Sequence, residues 1–316
     1  MDVHTGTCSP LILPSAALKE SVRLTGAPPP QTWMFLKPLG SAAGAGGRAA
    51  PAPAAWCQPQ RGAVRGASRG VAVMKLKNPP VNLLSLELLT EFVISLEKLE
   101  NDKDVRGVVI TSDCPGIFSA GLDLTEMCGR TPAHYAEYWR AVQELWLRLY
   151  LSSLVLVAAI NGTSPAGGCL VALTCDHRVM ADNPKYRIGL NETQLGIVAP
   201  FWFKDTLVNT IGHRATERAL QLGLLFPPVE ALQVGMVDQV VPEDQVQASA
   251  LSAAARWMAI PDHARQLTKD LMRKPTAERL LRQREADIQN FVDFTSRASI
   301  QKALQLYLEK LKQRKA

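Results

Sequence analysis

Residues 159–196 read AINGTSPAGGCLVALTCDHRVMADNPKYRIGLNETQLG, and this stretch decides the fold of the chain. The apolar run 154–160 predicts a buried strand that ends in a turn of small residues. The apolar residues after Gly167 predict a short helix, and residues 175–181 predict a second strand. A strand, a glycine turn and a helix N-terminus together point free backbone N–H groups at a site where negative charge develops.

One carboxylate in this stretch, Glu192, is a candidate base. A glutamate beside such N–H groups suggests enolate chemistry, in which a proton must be moved. Its neighbours Leu190, Leu195 and Ile197 predict an apolar environment, which raises the pKa of a carboxyl group towards neutral pH. The alternative interpretation of this residue is a solvated glutamate in a polar loop, because polar residues flank it on both sides.

These residues and a second segment upstream carry a family resemblance. The order Asn-Gly, small-residue turn, Gly-Gly-Cys and Cys-Asp is similar to the core of the crotonase (enoyl-CoA hydratase/isomerase) superfamily. Residues 118–124, FSAGLDL, resemble the F-x-A-G-x-D segment of that superfamily. NETQLG at 191–196 and NPPVN at 78–82 are most similar to its mitochondrial 3,2-trans-enoyl-CoA isomerases. The resemblance extends from about residue 71 to the C-terminus.

The resemblance implies an α/β fold, a crotonase-like spiral of ββα units with a C-terminal helical region. We expect the spiral core at residues 69–255. We expect the helical region at residues 256–316, where relatives pack helices on the core and form contacts within a homotrimer. The residues alone, without the resemblance, favour an α/β protein with a parallel sheet.

Hydrophobic periodicity adds the individual elements. It predicts a strand at 71–76, a helix from Ser85 to about residue 99, and a long helix opened by Thr131 and continuing to about residue 151. Beyond residue 242 the pattern is almost wholly helical. It predicts helices at about 243–259, 262–273, 276–292 and 296–313.

The resemblance also implies the residues of the site. The backbone amides of Leu122 and Gly167 would form an oxyanion hole for a thioester oxygen, and removing one such donor typically costs about 10²–10³ in rate. Glu192 matches the catalytic glutamate of the family and would take a proton from C2 of a 3-enoyl thioester and return it at C4. The substrate-binding residues that the resemblance implies are Ala120, Gly121, Leu122, Asp123, Leu124 and Gly167.

This chain lacks the second site carboxylate that the hydratase members of the family carry. In the hydratase members a second glutamate after Gly-Gly-Cys helps to activate water, whereas this chain has Leu170, which we expect to form an apolar wall of the pocket. The resemblance therefore implies an isomerase that converts 3-enoyl-CoA to 2-trans-enoyl-CoA in the β-oxidation of unsaturated fatty acids. CoA is part of this acyl-CoA substrate, and no further cofactor is expected. The alternatives are an enoyl-CoA hydratase or another acyl-CoA lyase, and a non-catalytic crotonase-like RNA-binding protein.

Other chemistries lack their usual patterns. The six cysteines form no C-x-x-C pair, so no metal site is expected. Ser164 has no G-x-S-x-G elbow around it, which argues against a hydrolase. Residues 176–178, Asp-His-Arg, are expected to be structural, with their charges paired. The aromatic run 201–203 would either line the acyl pocket or fill the core.

Residues 1–68 differ from the rest in composition. They hold nine of the 21 prolines and an Ala/Gly/Pro-rich tract, which predicts a disordered leader. Residues 1–70 carry a net charge of +5 and the remainder only +1, so the core gives no support to nucleic-acid binding. The leader partly fits a mitochondrial transit peptide, which predicts the mitochondrial matrix, and the alternative is a plain disordered extension. No apolar run reaches the ~20 residues of a membrane span.

Overall fold

Eleven strands form in the part of the chain that the structure describes. The structure is a computed structural model and describes residues 57–61 and 70–313. The strands are β1 (Cys57–Arg61), β2 (Val71–Leu76), β3 (Leu83–Leu84), β4 (Gly107–Ser112), β5 (Gly116–Ile117), β6 (Gly121–Leu122), β7 (Val155–Ile160), β8 (Gly162–Pro165), β9 (His177–Ala181), β10 (Ile188–Gly189) and β11 (Gln239–Val241).

Nine α-helices alternate with these strands and then dominate the C-terminal part of the described residues. They are α1 (Leu86–Glu100), α2 (Pro132–Tyr150), α3 (Gly167–Thr174), α4 (Phe201–Ile211), α5 (His213–Leu222), α6 (Pro228–Gln233), α7 (Val246–Met258), α8 (Asp262–Thr295) and α9 (Ala298–Gln313). The predicted caps are confirmed, because Ser85 Oγ accepts from the Leu88 N–H and Thr131 Oγ1 accepts from the His134 N–H. Capping side chains of this kind satisfy N–H groups that have no partner within the helix.

The main sheet has six strands in the order β1-β2-β4-β7-β9-β11. All neighbours from β2 to β11 are parallel, whereas β1 is antiparallel to β2. The central strands β4 and β7 are buried along their whole length, as expected for a parallel sheet covered on both faces. Helix α7 covers one face, and the larger core with α1, α2 and α3 lies on the other.

Two small parallel sheets build the second layer of the spiral. One has the order β10-β8-β5, and the other is the two-residue pairing of β3 with β6. Each of the four turns from β2 to α4 therefore contributes one long strand to the main sheet, one or two short strands to the small sheets, and a helix. This arrangement confirms the predicted α/β spiral with a C-terminal helical region.

The strand β1 corrects one prediction. It lies within the segment that we expected to be a disordered leader, and that expectation is wrong for Cys57–Arg61. The strand pairs with the outer edge of β2 over five residues. This pairing depends on a strand elsewhere in the chain, so the composition of the segment does not predict it. Pro59 is tolerated there because an edge strand needs fewer N–H donors. The rest of the leader, residues 1–56 and 62–69, lies outside the described residues.

Helix α8 corrects a second prediction. The break that we expected between residues 273 and 276 is absent, and α8 continues through Pro275. A proline removes one helical hydrogen bond, but contacts on both sides keep this helix in place. Before the proline, Arg273 Nη2 lies 3.2 Å from Asp176 Oδ1, and after it Arg284 Nε donates to Gln143 Oε1 at 3.2 Å.

The charges at the start of β9 are paired, as predicted. The Asp176 carboxylate is almost fully buried and lies 3.0 Å from Lys269 Nζ and 3.2 Å from Arg273 Nη2, both on α8. The same carboxylate accepts from the Leu156 N–H. This cluster ties helix α8 to strand β7 and to the start of β9 in the main sheet. Among the described residues, no helix is both long enough and apolar enough to cross a bilayer.

The close approach of α3 to the loop before β6 generates a stability prediction. A Cβ atom on Gly168 would lie 2.3 Å from the Ser119 carbonyl oxygen, which is backbone and cannot rotate away. Gly168→Ala should therefore lower the free energy of unfolding by about 1–3 kcal/mol, although alanine is the better helix former by up to about 1 kcal/mol. Urea denaturation of both proteins measures the change.

Gly107→Ala is the matched control. Its Cβ would meet the flexible end of Met258 at 3.2 Å, so the neighbour can move and the loss of stability should be smaller. Equal urea midpoints for Gly168→Ala and the original protein would contradict the proposed constraint.

Candidate active site

A cavity of about 840 Å³ is lined by five of the predicted site residues, whereas the predicted residues Gly121 and Gly167 do not line it. Ala120, Leu122, Asp123 and Leu124 line one side of it, and Glu192 lines another. Most of the remaining wall is apolar, which suits a hydrophobic substrate with a small number of polar anchors. Three segments that are far apart in sequence therefore meet at the end of the sheet, as the motif order implied.

The backbones of two of these segments touch each other. A Cβ on Gly121 would lie 3.0 Å from the Gly167 amide nitrogen and 3.1 Å from the Pro165 carbonyl oxygen. A Cβ on Gly167 would lie 3.1 Å from the Leu122 amide nitrogen. A Cβ at either position would be tight enough to displace its neighbours, and Gly121 also has a positive φ of 90°, which favours glycine. The amide nitrogens of Leu122 and Gly167, which we predicted to form the oxyanion hole, therefore lie at one backbone contact.

The turn before α3 directs the amide of Gly167. Gly167 is the first residue of α3, so its N–H has no acceptor within the helix. Ala166 precedes it with a φ of 48°, a left-handed conformation that costs a non-glycine residue about 1–3 kcal/mol. The Ala166 N–H donates to the Gly189 carbonyl oxygen at 2.8 Å, which attaches the turn to β10. Strain at this position shows that the surrounding structure holds the turn firmly.

The segment after Leu122 is also fixed. Asp123 caps the short 3₁₀ helix Leu124–Glu126, because its Oδ1 accepts from the Thr125 N–H at 2.9 Å and from Thr125 Oγ1 at 2.7 Å. The carboxylate of Asp123 is therefore occupied, and it stabilises the loop. Among the described residues, no group of three or more His, Cys, Asp or Glu side chains is arranged to hold a metal ion.

Glu192 is buried at the cavity wall. It begins the 3₁₀ helix Glu192–Leu195 directly after β10, and only 8% of its surface is exposed. Neither carboxylate oxygen accepts a hydrogen bond from another described residue, and the backbone N–H of Glu192 itself only weakly favours the charged form. Burial raises the pKa of Glu192 to about 7, against an ordinary value of 4.5. The apolar environment predicted for this residue is present, and the alternative of a solvated loop glutamate is wrong.

Leu170 lies elsewhere than we expected. It does not line the large cavity but a neighbouring space of about 10 Å³, together with Gly167, Leu122 and Trp146. Leu170 is one turn into α3, on the side that packs against α2. The position at which hydratases carry their second glutamate is therefore buried between two helices in this chain.

The sequence did not predict the contribution of the last two helices to the site. Phe291 and Arg297 line the cavity from α8 and the segment after it, and Tyr307 and Leu311 line it from α9. The signal that could have found it is the run of apolar residues at three- and four-residue spacing in α9. The aromatic run 201–203 serves both of its expected purposes, because its first and third residues line the cavity and the second is fully buried.

Comparison with known proteins identifies the family. A family model described as enoyl-CoA hydratase/isomerase matches residues 66–315. The chain belongs to this family. It is 79% identical over 249 residues to human enoyl-CoA delta isomerase 1, mitochondrial, a match that covers 79% of this chain and 82% of the human protein. The rat protein of the same name is 72% identical over 270 residues, which cover 81% of this chain and 93% of the rat protein.

Solved structures confirm the crotonase fold. The crystal structure of human mitochondrial delta3-delta2-enoyl-CoA isomerase matches with a TM-score of 0.80 and 75% identity, over 83% of this chain and 100% of that one. An enoyl-CoA hydratase/isomerase family protein from Pseudomonas syringae matches with a TM-score of 0.68 and 27% identity, over 75% of this chain and 98% of that one. The fold is therefore retained across widely different sequences of the family.

The buried carboxylate of this family member predicts a pH-dependent change in stability. Because folding raises the pKa of Glu192, the folded state favours the protonated group. The cost of ionising it is absent below pH 4.5 and reaches about 3 kcal/mol as the pH rises through 7. Glu192→Gln removes this cost, so the variant should match the original protein at pH 4 and exceed it at pH 8. Urea unfolding at the two pH values measures the difference.

Glu230→Gln provides a control for this comparison, because Glu230 is exposed on α6. Its effect should be small at both pH values. A Glu192→Gln variant without any additional stability at pH 8 would contradict the burial of an ionised carboxylate.

Proposed function

We propose that the protein is an enoyl-CoA delta isomerase, which moves the double bond of a 3-enoyl-CoA, cis or trans, to give 2-trans-enoyl-CoA. The relatives with 72–79% identity carry this activity in their names. The observation that carries the proposal within the structure is that the buried Glu192 carboxylate lines the same cavity as Leu122, whose backbone touches that of Gly167. These features support a base and an oxyanion hole that serve one substrate.

Glu192 differs from the other carboxylates that line the cavity. Asp123 accepts from Thr125, Asp287 accepts from Trp139 Nε1 at 2.8 Å, and Asp293 accepts from Gln289. Each of these three groups is already stabilised as an acceptor. Glu192 alone among the four has no hydrogen-bond donor from another described residue, so it is the carboxylate with the strongest tendency to bind a proton.

The proposed reaction begins with removal of a C2 proton by Glu192. The electrons of the C2–H bond form a dienolate, whose negative oxygen accepts hydrogen bonds from the amides of Leu122 and Gly167. Glu192 then returns its proton to C4, which leaves the double bond between C2 and C3. A pKa of about 7 suits both steps, because the group must accept and release a proton near neutral pH.

The proposed reaction needs no additional cofactor. No electrons leave or enter the substrate, and the proton lost at C2 is replaced at C4. The CoA portion belongs to the substrate and serves for binding. We further propose that the protein acts in the mitochondrial matrix in the β-oxidation of unsaturated fatty acids, since the human and rat relatives are named mitochondrial.

We also propose that the protein is a homotrimer. The first half of α8 supports self-association, because it exposes a row of apolar side chains. Leu267 is 63% exposed, Leu271 is 78% exposed and Met272 is 64% exposed. Burying such a row against another copy removes apolar surface from water, which stabilises the assembly by about 25 cal/mol for each Å² of apolar surface buried.

Hydration is the second candidate activity, and Leu170 argues against it. The side chain that would replace the second hydratase glutamate is buried between α3 and α2, away from the large cavity. Because position 170 is a leucine, it provides no carboxylate, and a leucine neither orients nor deprotonates a water molecule. Side-by-side assays with 3-enoyl-CoA and 2-enoyl-CoA distinguish the two activities, because only the first substrate reports double-bond migration.

Replacing the proposed base tests the mechanism directly. Glu192→Gln keeps the size of the side chain but cannot accept the C2 proton, so kcat for 3-enoyl-CoA should fall by about 10³-fold or more while substrate binding is retained. Formation of the conjugated 2-enoyl thioester, followed by its ultraviolet absorbance, measures kcat. Glu230→Gln should have normal activity. Near-normal turnover of Glu192→Gln would exclude Glu192 as the base.

The pH profile provides an independent test. Only the ionised form of Glu192 can remove the C2 proton, so kcat/KM should increase with pH and level off above a midpoint near 7. Initial rates at low 3-enoyl-CoA concentration, from pH 5 to pH 9, measure this midpoint. A midpoint near the ordinary carboxyl value would show that the base is exposed to water during the reaction.

A further inference from the structure

The loop that carries the Leu122 amide is held by one buried hydroxyl group. Tyr138 lies in the middle of α2 and is fully buried, with 0% of its surface exposed. Its Oη donates to the Leu84 carbonyl oxygen at 2.8 Å and accepts from the Asp123 N–H at 3.0 Å. The hydroxyl therefore connects α2, the end of β3 and the residue directly after the predicted oxyanion amide.

The local sheet is too short to fix this loop by itself. β3 and β6 pair over only two residues, Leu83 with Gly121 and Leu84 with Leu122. Two-residue pairing leaves few backbone hydrogen bonds to resist a shift of the register. The Tyr138 hydroxyl connects the Leu84 carbonyl group of β3 to the Asp123 N–H directly after β6. It therefore restrains the loop at the point where the pairing of β3 and β6 ends.

The neighbouring amides are restrained on both sides of Leu122. The Gly121 N–H donates to Ser119 Oγ at 3.1 Å, and the Asp123 N–H donates to Tyr138 Oη. With both flanking peptide planes held, the direction of the Leu122 N–H is set by two side chains. Of these, Tyr138 is the one that comes from a separate helix, and it is not among the residues that line the cavity.

We propose that Tyr138 is a positioning residue, whose hydroxyl aims the Leu122 amide at the oxygen of the enolate. This inference deepens the proposed function and rests on it. Burial also raises the pKa of Tyr138 well above its ordinary range, so the hydroxyl remains protonated and acts as a hydrogen-bonding bridge at any pH of interest. It has no role in moving the substrate proton.

The loop has a second attachment, which keeps a Tyr138 variant folded. Glu126 Oε1 accepts from the Leu86 N–H at 3.1 Å, and Glu126 Oε2 lies 2.6 Å from His134 Nε2. Loss of the Tyr138 hydroxyl should therefore shift the oxyanion amide without releasing the whole loop. A small misplacement is sufficient, because donors in an oxyanion hole act only within a narrow range of distance.

Tyr138→Phe tests the proposal, with Tyr135→Phe as the matched control. Tyr135 is also buried, lies one turn earlier on α2, and its Oη accepts from a backbone amide, that of Arg130, at 3.1 Å. Both substitutions remove one hydroxyl that accepts from a loop amide. Only Tyr138 is adjacent to the predicted oxyanion hole, so a purely structural effect would be similar in the two variants.

Two kinds of measurement distinguish positioning from folding. Tyr138→Phe should lower kcat for 3-enoyl-CoA by about 10–10²-fold, less than complete loss of a donor, with KM changed less than twofold. Acetoacetyl-CoA reports the oxyanion hole directly, because its bound enolate has a distinct ultraviolet absorbance. Tyr138→Phe should reduce this enolate signal and leave the Kd of saturated octanoyl-CoA unchanged. Tyr135→Phe should leave all four quantities at their original values, and the Tm of each variant is measured alongside.

The results can overturn the proposal in two ways. If Tyr138→Phe retains the original kcat and enolate signal, the hydroxyl does not position the amide. If both variants lose activity in proportion to their Tm, the role is structural. Failure of the proposed function is recognised separately, because the unaltered protein would then not convert 3-enoyl-CoA. The enolate signal of acetoacetyl-CoA does not depend on isomerisation and would still compare the two variants.

Discussion

The contact between two backbones, at Gly121 and at Gly167, is the constraint on which the site depends. A methyl group at either position would push the segments apart, since each Cβ would lie about 3 Å from an atom of the other segment. The ββα spiral brings these segments together from positions about 45 residues apart in the chain. The amides that we propose to stabilise charge are therefore positioned by the fold itself. This explains how the leucine at 122 contributes to the site although its side chain has no chemical role.

The same fold imposes a cost at Glu192. A carboxylate with no hydrogen-bond donor, buried in an apolar wall, is unfavourable in its charged form, and this raises its pKa to about 7. A hydrogen bond from the protein would make the group more stable and a weaker base. The proposed mechanism uses this lack of a partner, because a group that is poorly stabilised when ionised binds a proton more readily. Stability and reactivity are thus opposed at this residue.

The sequence predicted local features more reliably than long-range ones. Caps at Ser85 and Thr131 follow from neighbouring residues and are confirmed, as is the apolar environment of Glu192. The strand β1 was missed because its partner, β2, rather than its composition, determines it. The continuity of α8 through Pro275 depends on contacts with α2 and β9, which periodicity cannot reveal. The orientation of Leu170 depends likewise on how α3 packs against α2, and so it differed from the expectation.

The position of Leu170 bears on how one scaffold separates two reactions. Hydration needs a water molecule held opposite the base, and therefore a second polar group at the cavity. Isomerisation needs one base that reaches two carbons, and a second polar group would only admit water to a reactive dienolate. In this chain Leu170, the residue after Gly-Gly-Cys, packs against α2. Phe291 of α8 and Leu311 of α9 complete the cavity wall. The C-terminal helices therefore complete the apolar wall of the cavity, and the leucine at position 170 supplies no group that could activate a water molecule.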